Sequence, residues 1–509
     1  MLINKKLLFT ITTGLILGIM SCKKYLNVNT NPNVSQAASV KTLLPAAELY
    51  LASGLGVDLQ INGAFWAQYW TQAPTGTQYQ PLDQYAPSHT ISTDYYANSW
   101  TNLYAAGENL RQLYILADTE HKKQYMAISL LLKAYTFQLL TDAWGDVPFK
   151  YALQGQFTND TNGGKISPKF DSQLVVYKGI IALIDSANAI IDPSDPAGAG
   201  ADDIIYGGNM SKWQKFSNTL QLRVLLRMSN IDPIYAQTNI TALYASSSAL
   251  FIGAGDDALI NFGGTTGTVN PLYSEASGIG KQQNFAASFT IVDSMRSNYD
   301  TCRWKVFFEK GSAGNYAGIH QGDFNTTTVS YSIPSFYVGG DVSNSTSGSA
   351  PVILMSATES YFLQAEAAAL GYGTGVDSSL FYRAIQANFD FYNSQIFATS
   401  GINSTTAFNN YVSGTGIGYW ALYPVGGSVA QKIRFIITQK WFAMCGTQSF
   451  EAWTEWRRTG YPDFLQYSIN SSIGAQFPKR FLYPIAESAT NPKFPGLAPI
   501  TNKVWWDIY

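Results

Sequence analysis

The sequence predicts a mainly α-helical protein with a large, loop-rich irregular part and little strand. Three observations predict it. Apolar residues recur at helical spacing in long runs that tend to come in pairs. The stretches between the pairs are rich in Gly, Ser, Thr, Asn and Tyr. Only one short segment, ALINFGG at 258–264, reads well as a strand. The intervening stretches are too aromatic for disorder. They are therefore expected to be ordered irregular structure laid over a helical scaffold.

The first element is a leader. Lys5 and Lys6 form a short positive region, and residues 7–20 form an apolar run of fourteen. A bilayer-spanning helix needs roughly 20 apolar residues, so this run suits the apolar part of a secretory signal. Cys22, directly after Ile19, Met20 and Ser21, resembles a bacterial lipobox cysteine, although Met20 is an unusual neighbour. Lipidation there would supply the two hydrophobic attachments that stable anchoring requires. The polar stretch 23–33, broken by Pro32, then reads as a tether.

Helices are expected near 41–55 and 93–117, separated by the aromatic stretch 70–92. The next carries Ile128, Leu131, Leu132, Tyr135 and Leu139 on one face. Gly145 and Pro148 end it, with Trp144 expected to pack back on it. Leu174, Tyr177, Ile181, Ile184 and Ile191 mark another. Ser211 and Gln214 have the spacing of a capping box, followed by Trp213, Phe216, Leu220 and Val224 on one face. A second capping box, Ser356 with Glu359, opens the next helix, and others follow near 377–394, 428–443 and 448–458. Irregular segments are expected mainly at 231–350 and 396–427, and again over 459–509. No composition break marks a linker, so residues 22–509 are expected to form one large domain.

Charged residues make up 13% of the chain and aromatics 14%, against about a quarter charged in ordinary globular proteins. Loss of residues 1–21 would remove Lys5 and Lys6 and take the net charge from −2 to −4. That balance does not favour nucleic acid or an anionic membrane surface. A weakly charged surface rich in Tyr, Trp, Asn and Gln suits neutral polar ligands such as sugars. His89, His121 and His320 are isolated in sequence, and no cysteine–histidine cluster of the metal-binding type exists. Neither a metal nor another cofactor is expected. Cys302 and Cys445 could pair in an extracytoplasmic compartment, but two buried thiols are the expectation.

Catalytic templates fail. EASGIGKQQ at 275–283 lacks the first glycine of a phosphate loop and has Gln282 where Ser or Thr is required. There is no G-x-S-x-G and no H-E-x-x-H. Glu451 and Glu455 share a helical face ahead of Arg457 and Arg458, and Glu359 and Glu366 share another. Paired carboxylates can flank a glycosidic bond. These sit inside helical blocks rather than cleft-forming loops, so ion pairing within or between helices is expected instead. A non-catalytic protein follows.

Several blocks together carry a resemblance: LLTDAWGDVPFKYALQG (139–155), YGGNMSKWQKFSNTLQLRVLLRMSN (206–230), PVILMSATESYFLQAEAAALG (351–371), IITQKWFAMCGTQSFEAWTEWRRTGYP (436–462) and the closing RFLYPIAESATNPKF with NKVWWD. Their order and content resemble the SusD/RagB family, most nearly its SusD-like lipoprotein branch. The stretch after Cys22 is similar to that family's mature start, with Asn27 where an aspartate is common. The resemblance implies a right-handed superhelix of about four tetratricopeptide-like helix pairs, with a loop-rich remainder packed on it. It further implies a lipid-anchored outer-membrane protein of Bacteroidetes, facing outward. Such proteins capture glycans, or sometimes peptides, and deliver them to a SusC-type TonB-dependent transporter. A surface glycoside hydrolase and a scaffold that binds only proteins are the alternatives.

Sugar rings stack apolar C–H faces on aromatic side chains while amides and carboxylates meet their hydroxyls. WAQYWTQAPTGTQYQPLDQY (66–85) meets that description best, with Trp70, Tyr79 and Tyr85 beside Gln78, Gln80, Asp83 and Gln84. Tyr316, Tyr331, Phe336 and Tyr337 mark a second candidate loop. The alternative is that these aromatics pack the loops onto the helices or onto the partner barrel. The anchor can be tested on its own. Cys22→Ala is expected to leave a folded protein that membrane fractionation no longer finds at the outer membrane, and retention there would overturn the lipobox reading.

Overall fold

The computed structural model describes residues 38–509, apart from 88, 91–92, 95, 156–166, 196–197, 247–249, 266, 278–281, 328–329 and 415. The leader, Cys22 and the 23–33 tether lie outside the described residues, as does 278–281 of the discarded phosphate-loop stretch. The fold is mainly helical, as expected. Val40–Gly54 packs on Ala97–Thr119, which packs on Lys123–Trp144, which in turn packs on Gln173–Asn188. Met210–Met228 then Pro233–Ala245 extend that series. Ala357–Ala369 pairs with Asp377–Phe391, and Val429–Ala443 with Ser449–Thr459. One buried hydrophobic cluster runs through these helices from Val40 to Trp506. No described helix is long and apolar enough to cross a membrane.

Local chemistry explains most element ends. Gly145 closes Lys123–Trp144 at φ 86° and ψ −122°, a conformation that only glycine adopts without strain. Trp144 joins its helix to other segments. Its indole N–H donates to the Leu482 carbonyl at 2.9 Å, and its ring meets Trp100 and Phe481 edge-on. The helix expected from Ser211 begins at Met210, because Asn209 accepts from the Lys212 amide at 3.1 Å and caps it. Ser356 caps Ala357–Ala369 as expected, accepting from the Glu359 amide at 3.1 Å. The reciprocal half of that capping box is not made, since the Glu359 carboxylate is drawn into a buried ion pair with Arg223.

The regions expected to be irregular contain more helix than anticipated. Pro233–Ala245 starts at an Asp232 cap with proline at its first position. Phe289–Ser297 starts at a Ser288 cap, and Ser404–Ser413 at an Asn403 cap. These are ordinary start signals hidden by weak apolar periodicity. The first residues of the helix expected at 93–117 instead form a two-residue strand, Thr93–Asp94, paired with His89–Thr90. The expected strand is Ala258–Ile260, antiparallel to Val352–Met355 with an irregularity between Ala258 and Leu259. Cys302 and Cys445 are both free and buried.

The acidic pairs form ion pairs both within and between helices. Arg227 reaches Glu451 at 2.7 Å and Glu455 at 2.6 Å. Arg458 reaches Glu366 at 2.6 Å and also holds Glu455, three residues back on its own helix. Arg223 meets Glu359 at 3.2 Å, and Lys440 lies 3.4 Å from Glu451 and 3.6 Å from Glu455. All eight groups are buried. Burial alone would raise the Glu455 carboxyl, but Arg458, Lys440 and Arg227 outweigh it and hold the group well below the usual carboxylate range. Removing one partner strands charge in a low dielectric. Arg458→Met is therefore expected to cost about 3–5 kcal/mol, read as a lowered urea midpoint, and a change under 1 kcal/mol would refute the network's role.

Candidate functional site

The first candidate loop turns its aromatics inward. Trp66 ends the Gln60–Trp66 helix, which packs against Ser449–Thr459 so closely that a Cβ on Gly63 would sit 2.4 Å from the Phe450 amide. From there the chain enters Trp70–Gln72, paired antiparallel to Phe285–Ala287. Phe285 stacks on Trp70 at 5.0 Å and 30° and on Tyr79 at 5.1 Å and 17°. Trp70, Tyr79, Asp83 and Tyr85 are all buried. Asp83 accepts from the Thr71 hydroxyl at 2.6 Å, the Gln72 amide at 2.7 Å and the Gln321 side chain at 2.6 Å. Burial pushes its carboxyl up to about 7, with those hydrogen bonds pulling the other way. The Tyr85 hydroxyl accepts from the Ser468 amide at 3.2 Å. The exposed aromatic platform expected at 66–85 is thus not what these four residues form. Its rings are buried because Phe285 covers Trp70 and Tyr79 and because Asp83 fixes the loop through Thr71, Gln72 and Gln321.

What 66–85 does present is a polar edge. Thr75 lies 3.3 Å from the Tyr331 hydroxyl and 3.3 Å from the Gln283 carbonyl. Asn284 donates to Gln78 at 3.2 Å. Tyr331, half-buried, packs on Ala73, Ala286 and Ile319. One of the second-loop residues therefore belongs beside the first loop.

Tyr316 and Tyr337 belong to another group, and sequence reasoning missed the rest of it. Tyr316 stacks on Trp304 at 5.2 Å and 19°, both half-buried. The Arg296 guanidinium lies 6.0 Å over Trp304 and donates to the Tyr316 carbonyl at 2.7 Å. Glu309 is close enough to raise the hydroxyl pKa of both Tyr316 and Tyr337, as a smaller effect than their burial. Burial, then the neighbouring Asp341, pushes the Glu309 carboxyl up in turn. Tyr337 packs on Phe336 at 3.9 Å and lines a cavity of about 160 Å³ with Gln60, Asn270 and Gln395. Within Arg303–Phe307 the structure buries Arg303, Val306 and Phe307 and leaves Trp304 half-buried, a distinction made by tertiary packing and not by local pattern. This arrangement offers a parallel aromatic pair flanked by a guanidinium, a carboxyl and a phenol. It can stack an apolar ring face and hydrogen-bond hydroxyls.

The architecture is a helical scaffold carrying an ordered irregular layer, with this aromatic and polar edge on it. The family described as SusD-like, "Starch-binding associating with outer membrane", matches residues 32–484. The chain belongs to that family. Solved structures agree on the fold. A chitin-binding protein is similar at 24% identity and TM-score 0.72, covering 91% of this chain and 100% of its own. A chitin-binding SusD homologue from Flavobacterium johnsoniae is 22% identical, with TM-score 0.72 and coverage of 92% and 98%. A SusD homologue from Bacteroides fragilis is 21% identical, with TM-score 0.72 and coverage of 92% and 99%. No curated protein matches in sequence.

The burial of Trp70 has a measurable consequence. Trp70→Ala is expected to cost about 3–5 kcal/mol of stability, seen as a lowered melting temperature, whereas Tyr331→Ala at the rim changes it little. Equal, small effects of the two would show that Trp70 is not part of the packed layer.

Proposed function

We propose that this protein captures glycans at the outer face of the outer membrane and passes them, without cleaving them, to a SusC-type TonB-dependent transporter. The observation that carries this reading is the stacked Trp304–Tyr316 pair with Arg296 and Glu309 beside it. The family description names starch, and two of the related structures are of chitin-binding proteins. Non-catalytic action is supported by the fate of the paired acids. Glu359, Glu366, Glu451 and Glu455 are buried in ion pairs and cannot flank a scissile bond. The lipobox-like sequence at Cys22 and membership of an outer-membrane-associated family support a lipid anchor and an outward orientation.

Starch- and chitin-derived oligosaccharides are the first probes. In titration calorimetry, Trp304→Ala with Tyr316→Ala should lose roughly tenfold or more in affinity. The helical circular-dichroism spectrum should stay intact, and the wild-type protein should release no hydrolysis products. The same protein drawn from native membranes in mild detergent should bring a much larger barrel with it. Unchanged affinity in the folded double variant would remove the site, hydrolysis would favour a glycosidase, and recovery without a barrel would remove the transporter partner.

A further inference from the structure

The helix Phe289–Ser297 closes on a residue that such a closure disfavours. The Tyr299 amide donates to the Arg296 carbonyl at 3.1 Å, and the Asp300 amide donates to the Met295 carbonyl at 3.0 Å. That pair of bonds marks the left-handed helix ending in which glycine usually follows the cap. Here the position is held by Tyr299, at φ 53°. A side chain strains that conformation, and burial does not offset the strain, because Tyr299 is 57% exposed. Its ring rests on Gly416, where a Cβ would sit 2.9 Å from it. Strain kept without a gain in packing points to a use for the side chain itself.

Tyr299 borders a cavity of about 510 Å³, within the range of ligand pockets, which run from roughly 300 to 1,000 Å³. Phe389 and Tyr411 form its buried wall. Asn410 is exposed at its border, and its side-chain amide makes no hydrogen bond among the described residues. Asp300 is the one charged group among the described residues that line it, and it is buried. That carboxylate pairs with Arg303 at 2.6 Å, and the Arg303 guanidinium lies 5.1 Å from the Phe389 ring and 5.0 Å from the Tyr411 ring. The charge is balanced inside the protein. The cavity therefore suits an uncharged polar ligand with one apolar face.

We propose that the cavity bordered by Tyr299, Asp300, Asn410 and Tyr411 is a second saccharide subsite, which takes an uncharged sugar ring. The C–H face of the ring stacks on the Tyr299 phenol, and its hydroxyls meet the Asn410 amide. The subsite lies beside the first one. The carbonyl of Arg296 holds the Tyr299 amide, while its guanidinium lies 6.0 Å over Trp304. The inference rests on the reading above only in taking saccharide as the ligand class, and neither Trp304 nor Tyr316 lines this cavity.

The probes are the hexamers of glucose and of N-acetylglucosamine. Calorimetry should show binding of at least one of them that added salt does not weaken. Tyr299→Gly relieves the left-handed strain, so it should leave the melting temperature unchanged or higher while affinity falls about two- to tenfold. Tyr299→Phe keeps the ring and should restore most of that affinity. Asn410→Ala replaces an exposed side chain and should lose about two- to tenfold. Unchanged affinity in Tyr299→Gly, or an equal loss in Tyr299→Phe, would overturn the proposal. So would binding that salt abolishes. Loss in Tyr299→Gly beside no loss in the Trp304→Ala with Tyr316→Ala variant would support this subsite and remove the first. Loss only in that double variant would do the reverse. Failure of the wild-type protein to bind either hexamer would remove both.

Discussion

The rest of the molecule is arranged around a buried exchange of charge. Arg223, Arg227, Lys440 and Arg458 meet Glu359, Glu366, Glu451 and Glu455 at the junction of four helices, and every one of these groups is buried. Such a set is tolerable only when complete, because each charge taken from water costs several kcal/mol unless its partners are in place. Completeness in turn demands that Met210–Met228, Ala357–Ala369, Val429–Ala443 and Ser449–Thr459 come together in one register. The network is therefore a poor source of net stability, although loss of any one partner strands a buried charge. It rejects arrangements that would leave any one member unpaired.

A second tier of aromatic and polar contacts builds outward from it. Arg457 lies 3.5 Å from the Trp453 ring and 4.8 Å from Trp506, and it donates to the Asp142 carbonyl at 2.7 Å. Asp142 itself accepts from Tyr177 and from the Trp506 indole. In this way the last residues of the chain are tied to the Lys123–Trp144 helix. The long irregular segments are held by the same kind of chemistry. Asp83 and Gln321 join the 66–85 and 310–337 segments, and Gln68 joins the first of them to Gln466 through a hydrogen bond to its backbone. Side-chain amides and carboxylates here do what a regular hydrogen-bond ladder does elsewhere. At the edges of this layer Trp304, Tyr316 and Tyr337 remain only half-buried.

The sequence by itself determined the strongly periodic helices, since apolar spacing is a local property, but not weakly periodic ones such as Pro233–Ala245 and Ser404–Ser413, and it determined that Cys302 and Cys445 could be quiet, buried thiols. It also determined, through blocks of residues in a fixed order, which family the chain belongs to. It placed Glu451 and Glu455 on one face and named ion pairing as their use. Tertiary structure alone decided which cations they meet, because Arg227 and Lys440 arrive from other helices. It also decided which aromatics face solvent. Trp70 and Tyr79 look like surface residues in sequence, amid Gln, Thr and Gly, yet Phe285 from more than two hundred residues away stacks on both. Trp304 and Glu309 drew no attention in sequence and became part of the open edge. The physical reason is that exposure depends on what packs on top, and in this fold the covering segments come from distant parts of the chain.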